Sequence, residues 1–343
     1  MNATLLDFTL ENINEDQIGR FVAPIVFLCI LLVVGVPGNL TVLIIYWNKY
    51  TKSVYRSLIL NLAIVDLIFC TIGIPFNIGR IVHYYTFKGQ WVCKTFTAVL
   101  IFGIMYSTHL VMLLSLHRFR QICFPLKNQI SLQNVHYFIS ACVIIGFILS
   151  WPQAVLIEIE HVTLERNITG HTCPVTASEP SVYSIAYSIF NVCMFFVYTI
   201  ILFVLYSLIG KKAYQQRQKR LPVYTTERGR NVQLIDKMTK IAFTISVVFA
   251  LSYLPLFVLK LAKDWFHEKD LNEIEFSILR IAERCYIINH VANPFIYALF
   301  DNRFRQNVRL LASFKWRFPK NEPQEQSKPD NEQTIPTTVP IYS

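Results

Sequence analysis

Asn293-Pro294-Phe295-Ile296-Tyr297 closes the last of seven long apolar stretches in this 343-residue chain, and its reading decides the fold. A proline inside a membrane helix frees a backbone carbonyl and weakens the helix there, which is tolerated where neighbouring polar groups and water re-satisfy it. Asn293 and Tyr297 sit one helical turn apart across that weak point, so both can face the interior of a bundle. An Asn-Pro pair alone also marks turns. Here it ends an apolar span and is followed by the amphipathic run Phe300-Asp301-Asn302-Arg303-Phe304-Arg305.

Working outward, the composition is that of a membrane protein: 53% hydrophobic and only 16% charged, with a mean hydropathy of +0.40, far from a typical soluble domain. A hydrocarbon core about 30 Å thick takes about 20 apolar residues per helix. Stretches of that length lie near 24–47, 58–81, 95–117, 136–157, 183–209, 239–262 and 276–299. The last is the least apolar, because Arg280, Glu283 and Arg284 occupy its first turns. The N-terminus lacks the ordered basic, short apolar and cleavable segments of a signal peptide, so the first span is expected to stay as a helix. The expected fold is an all-α membrane protein. Residues 1–23 form an N-terminal segment, 24–300 a seven-transmembrane helix bundle, and 301–318 a short amphipathic helix. Residues 319–343, with five prolines and many polar side chains, are expected to be a disordered tail. The polar connection 210–237 is expected to extend spans five and six and to break near Pro222.

Charge orients the bundle. The net charge of +10 gathers in alternate connections: Lys49, Lys52 and Arg56 after span one, Arg118, Arg120 and Lys127 after span three, eight basic residues between spans five and six with Lys240 at the start of span six, and Arg303 to Arg317 after span seven. Basic residues in short loops mark the cytoplasmic side, so the N-terminus is expected outside and the C-terminus inside. Basic loops split between membrane helices argue against nucleic acid and for contact with anionic membrane lipid. The sequons Asn2-Ala3-Thr4 and Asn167-Ile168-Thr169 both fall on the expected outside and are candidate glycosylation sites. Of eight cysteines, only Cys93 and Cys173 lie clearly outside near helix ends, where an oxidising compartment permits a bridge.

Further landmarks accompany Asn293-Pro294…Tyr297. They are Gly38-Asn39 in span one, Leu62-Ala63-Ile64-Val65-Asp66-Leu67 in span two, Trp91-Val92-Cys93 before span three, and Leu116-His117-Arg118-Phe119 at its end. Tyr206 closes span five, Phe249…Pro255 lies in span six, and Ser150-Trp151-Pro152 resembles the outer end of span four. Over about residues 24–310 the chain resembles the rhodopsin-like (class A) G-protein-coupled receptors, with the last amphipathic run as helix eight. The resemblance implies a Cys93–Cys173 bridge, with two unrelated thiols as the alternative. It implies that Arg118 meets a heterotrimeric G protein after activation, with arrestin as a further partner. His117, Tyr206, Phe249, Pro255, Asn293, Pro294 and Tyr297 would then form the switch, helix six swinging outward about Pro255. Asn39, Asp66, Ser107, Asn289 and Asn293 would surround a hydrated sodium ion, an allosteric ligand for which oxygen donors suit a hard cation. A hydrogen-bonded network without an ion is the alternative.

The departures are specific. His117 replaces an acid beside Arg118 and offers one acceptor nitrogen in place of a bidentate carboxylate; facing cytoplasmic water is its other reading. Ile235 stands where helix six would carry a second restraining acid, with Asp236 displaced about 100° around the helix. Elevated ligand-independent signalling is therefore expected, lowered by His117→Asp. Phe119 replaces a tyrosine, Ser252 and Tyr253 replace a cysteine and tryptophan, Tyr198 replaces a helix-five proline, and span four lacks a mid-helix tryptophan. His290 stands where a small hydroxyl residue is usual beside the ion.

Enzymatic readings find no motif: there is no P-loop, no Gly-x-Ser-x-Gly turn and no His-Glu-x-x-His helix. No cofactor is required. His83, His109 and His161 read as lone polar residues. A transporter would carry inverted repeats, which are not evident. Ile287 stands at the retinal-lysine position and Leu100 at the amine-binding aspartate, which disfavours light and amines. Leu100, Ile101, Ile104, Tyr253 and Phe257 are expected to line an apolar cavity, with Lys260, Arg280, Glu283 and Arg284 at its rim. That combination suits an extracellular peptide. The runner-up is a lipid or small organic acid paired to Lys260 or Arg280; the charges pairing with one another is the bland reading. A multi-pass receptor of the plasma membrane is the expectation.

Overall fold

The computed structural model describes residues 3–164, 167–174, 181–218, 226–262 and 271–313, and the side chains of all of these except 3–9, 216–218 and 226–236. Asn2, the segment around Pro222, the 319–343 tail and the last part of 301–318 lie outside the described residues, as do the side chains of Ile235 and Asp236.

Helix α1 (Ala3–Arg20) precedes α2 (Val22–Lys49); α3 (Val54–Ile68) continues through a π-helical turn (Phe69–Gly73) into α4 (Ile74–Val82). Then follow α5 (Gln90–Cys123), α6 (Val135–Leu156), α7 (Val182–Gln218) and α8 (Thr226–Leu261). By length and composition six of the described helical spans can cross a membrane. The seventh crossing is segmented: α9 (Glu273–Ala282), a 3₁₀ turn (Cys285–Ile287) and α10 (Ile288–Phe300), after which α11 (Asn302–Ala312) closes the described chain. Asn272 starts α9 as a capping box, accepting from Ile274 and Glu275 while the Glu275 carboxylate returns to its backbone N–H.

Apolar side chains cover the outside as well as the inside. Val33 is 71% exposed and Phe203 74% exposed, a wasteful surface in water but the ordinary one against lipid. Small residues set close approaches. A Cβ on Gly73 would lie 2.4 Å from Leu100 Cδ2, and one on Gly146 would lie 3.2 Å from the Tyr106 backbone nitrogen of α5. The π turn at Phe69–Gly73 accommodates one extra residue just before Pro75.

The loop after α6 departs from an all-helical expectation. β1 (Glu160–Thr163) pairs antiparallel with β2 (Thr169–Thr172), Glu160 opposite Thr172 and Thr163 opposite Thr169. The hairpin docks on the loop after α4: His171 N–H donates to Tyr85 O at 2.7 Å and Phe87 N–H donates to His171 O at 3.0 Å. Between the strands Asn167 adopts φ 59°, a left-handed conformation that asparagine tolerates, and its side chain is exposed. The N-terminal segment is likewise ordered into α1, which packs on the same end: Asn14 donates to Val82 O at 2.9 Å and accepts from Tyr85 N at 2.8 Å.

Candidate functional site

Three polar regions interrupt the apolar bundle, one at the hairpin end, one midway and one at the α11 end. At the hairpin end lies a cavity of about 520 Å³. Its wall contains Phe21, Arg80, Lys260, Arg280, Glu283 and Arg284, and the hairpin contributes Glu160, Val162, Thr172 and Cys173. Cys173 is bonded to Cys93 of α5, Cα to Cα 5.8 Å, which ties the hairpin to the bundle. Glu283 is shared: Arg280 Nη1 lies 2.9 Å from its Oε1 and Arg284 Nη1 lies 3.3 Å from its Oε2. Arg284 also donates to Arg280 O at 2.7 Å. The Phe21 ring lies against both guanidinium groups, at 5.7 and 5.9 Å. Lys260 Nζ sits 5.9 Å from the Phe257 ring. Burial first, then repulsion from the neighbouring His161 and Lys88 side chains, holds the hairpin's His171 below the ordinary imidazole value.

The rim residues expected from sequence therefore meet on one cavity. The expected apolar floor does not line it. Leu100 is buried against Gly73, while Tyr253 and Phe257 are buried in an aromatic column with Phe195, Phe249 and Tyr286. Ile101 and Ile104 are half-buried in the bundle and are not among the lining residues. These rings pack against one another, and that contact takes up the apolar surface expected to line the cavity. Sequence reasoning missed Arg80 and Phe21; a basic residue near the end of the second apolar span was the available signal for Arg80.

Midway, Asp66 is fully buried. His290 Nδ1 lies 2.7 Å from its Oδ1 and Asn293 Nδ2 donates to its Oδ2 at 2.6 Å. The His290 ring is stacked on Phe69 at 4.0 Å, and its Nε2 lies 3.4 Å from Tyr253 Oη. Asn39 turns its amide nitrogen to Gly35 O and His290 O, at 3.0 and 2.9 Å. Asn39 Oδ1, Ser107 Oγ and Asn289 Nδ2 are buried without a partner. As they stand these residues do not fit a sodium ion. His290 Nδ1 occupies Asp66 Oδ1 and Asn293 Nδ2 occupies Asp66 Oδ2, so a cation on the carboxylate would have to displace them. Asn39 Oδ1 and Ser107 Oγ do remain as unpartnered oxygens. Among the described residues no group of three or more His, Cys, Asp or Glu side chains is gathered to hold a metal.

At the α11 end, Arg118 is almost fully buried, its Nη1 donating to Gln121 Oε1 at 2.7 Å and its guanidinium lying 4.6 Å from the Tyr55 ring. Nη2 lies 3.4 Å from Met238 Sδ on α8. His117 is only 3% exposed, its Nδ1 has no partner, and among the described residues it makes no hydrogen bond to Arg118. It neither faces water nor stands in for the missing acid; burial on the α5 face opposes both. Tyr206 Oη lies 3.0 Å from Ser115 Oγ and 3.4 Å from Ser246 Oγ, joining α7, α5 and α8. Tyr198, in place of a proline, bonds His109 Nε2 at 3.0 Å. Tyr297 is buried beside Tyr46 and Phe304. Asp301 is the hub missed from sequence. It caps α11 through Arg303 N and Phe304 N, accepts from Tyr50 Oη at 2.7 Å and pairs with Lys237 Nζ of α8 at 2.6 Å.

Comparison with known proteins adds to this geometry. Residues 38–297 match the profile of the 7 transmembrane receptor (rhodopsin family). The chain is 28% identical over 299 residues to neuropeptide Y receptor type 2 of Mus musculus and 27% identical over 301 residues to that of Cavia porcellus, in each case covering 84% of this chain and 74% of the relative. It is 23% identical over 323 residues to neuropeptide FF receptor 1 of Rattus norvegicus, covering 90% of this chain and 73% of the relative.

Proposed function

The chain belongs to the rhodopsin family of seven-transmembrane receptors, and on that premise we propose that it binds an extracellular peptide at the hairpin end and activates a heterotrimeric G protein at the α11 end. The relatives carry neuropeptide receptor names, and a cavity of about 520 Å³ under a tethered hairpin is of a size that takes several side chains of a peptide. The hairpin end would face outside the plasma membrane with the N-terminus, as the basic loops at the other end favour.

The observation that carries the transducer half is Arg118, buried at the α11 end and held by Gln121, the Tyr55 ring and Met238 of α8 in place of a carboxylate. Outward movement of α8 about Pro255 would take Met238 from the guanidinium and free it to reach a G protein. Arg118→Ala should reach the surface and bind ligand yet lose nucleotide exchange on the G protein. Undiminished exchange at matched surface expression would remove this assignment.

A further inference from the structure

We infer that the cavity takes its ligand by an acidic group, a carboxylate seated against the Arg80 guanidinium of α4. The inference rests on the reading that the ligand enters this cavity. Four cationic side chains line it, Arg80, Lys260, Arg280 and Arg284, against two carboxylates, Glu160 and Glu283. Glu283 is already divided between Arg280 and Arg284. Arg80 is different. It is 9% exposed, its Nε has no partner, and among the described residues it lies within ion-pair distance of no carboxylate. The Phe76 ring lies 5.5 Å from its guanidinium carbon, and the Glu283 carboxylate, near enough to act on its charge, is already taken by Arg280 and Arg284.

A buried guanidinium without a counter-ion is costly, and a protein keeps one where something else supplies the anion. The fork of a guanidinium matches a planar carboxylate with two parallel hydrogen bonds. Lys260, on α8 across the same cavity and with no ion-pair partner among the described residues, adds a second positive charge. Phe21 and the aliphatic Ile81, Leu256 and Leu259 give part of the wall an apolar face, beside the hydroxyl-bearing Tyr84, Tyr85, Thr172 and Ser188. The site thus offers a seat for one acid on a body that meets both apolar and hydroxyl-bearing surface. A peptide's C-terminal carboxylate, an acidic peptide side chain and a small carboxylic acid all offer that chemistry.

The full-length receptor, expressed in cells, is tested with a peptide library bearing free C-terminal carboxylates and the same library amidated, and with long-chain carboxylic acids and their methyl esters. Active members should be acids, inactive when amidated or esterified. If only acidic side chains serve, Asp→Asn or Glu→Gln within the active peptides should silence them. Arg80→Gln should lower the potency of those acids by about ten- to a hundredfold, and Arg80→Lys should recover part of it. Without ligand, purified Arg80→Gln should be no less thermally stable than wild type, since an uncompensated buried charge is removed; a loss of stability would make Arg80 a structural residue. Actives that keep full potency after neutralisation, potency indifferent to Arg80→Gln, or silence from every acidic compound would overturn the inference. Leu256→Trp, which fills the cavity, separates the two claims. If it abolishes the response while Arg80→Gln does not, the acid reading falls and the cavity reading stands; if neither matters, both fall.

Discussion

His290 shows how one side chain changes the chemistry of a buried site. With a small hydroxyl residue at this position, Asp66 would be free to collect a hydrated cation. The imidazole instead reaches Asp66 at 2.7 Å and is fixed by stacking on Phe69 and by Tyr253. Replacing sodium chloride with choline chloride should therefore leave ligand affinity and basal signalling of the wild type unchanged, and His290→Ser should introduce a sodium effect of a few fold. A sodium dependence in wild type equal to that of His290→Ser would show that the ion displaces the imidazole. At Arg118 the lesson is similar. The missing acid is not replaced by His117, which is buried without contacting the arginine, but by the neutral amide of Gln121. A neutral acceptor holds a guanidinium less strongly than a carboxylate, which keeps the expectation of high basal signalling alive for a reason other than the one read from sequence.

At the scale of elements, the contact that crosses from α8 to α11 is the Lys237–Asp301 pair. Asp301 is 4% exposed at its side chain and Lys237 28% exposed, so the pair is worth on the order of 1 kcal/mol, more than a wholly exposed one. Burial, then the Asp301 carboxylate, also pushes the Tyr50 phenol well above its ordinary value, keeping it a donor to Asp301. Lys237 belongs to the helix proposed to swing outward, and Asp301 belongs to the cap of a helix that stays. Lys237→Gln should thus raise basal nucleotide exchange about fivefold while leaving α11 capped. Asp301→Ala should do more damage, because it also uncaps α11 at a further cost of about 1 kcal/mol. Unchanged basal exchange in Lys237→Gln, at equal surface expression, would show that the pair does not discriminate between the two positions of α8.

For the whole molecule, the hairpin, α1 and the disulfide close one end of the bundle. The Cys93–Cys173 bridge spans 80 residues of sequence, and in the loop-entropy picture a closure of that length stabilises by about 4 kcal/mol. The backbone contacts to Tyr85 and Phe87 remain without it, so the hairpin should loosen and not dissociate. Cys173→Ser should lower surface expression and weaken ligand binding by tenfold or more. Intact-mass measurement of binding-competent receptor with both thiols free would contradict that role.

The seven spans, their helical state and the likeness to rhodopsin-family receptors were legible in the chain, because an apolar run of about 20 residues in lipid has few structures open to it and because Asn293-Pro294…Tyr297, Asp66 and Arg118 carry their chemistry in their identities. The Cys93–Cys173 bridge was legible for the same reason, as the pair of thiols left on one side. What the sequence could not set was which of these groups meet. Arg80 faces a cavity while Tyr253 and Phe257 are lost to an aromatic column; Asp66 finds His290, Arg118 finds Gln121, and Asp301 finds Lys237. Hydrophobicity acts along the chain and fixes spans. Hydrogen bonds and ion pairs act over about 3 Å, so partners far apart in sequence are chosen by helix rotation and packing, which only the tertiary structure decides.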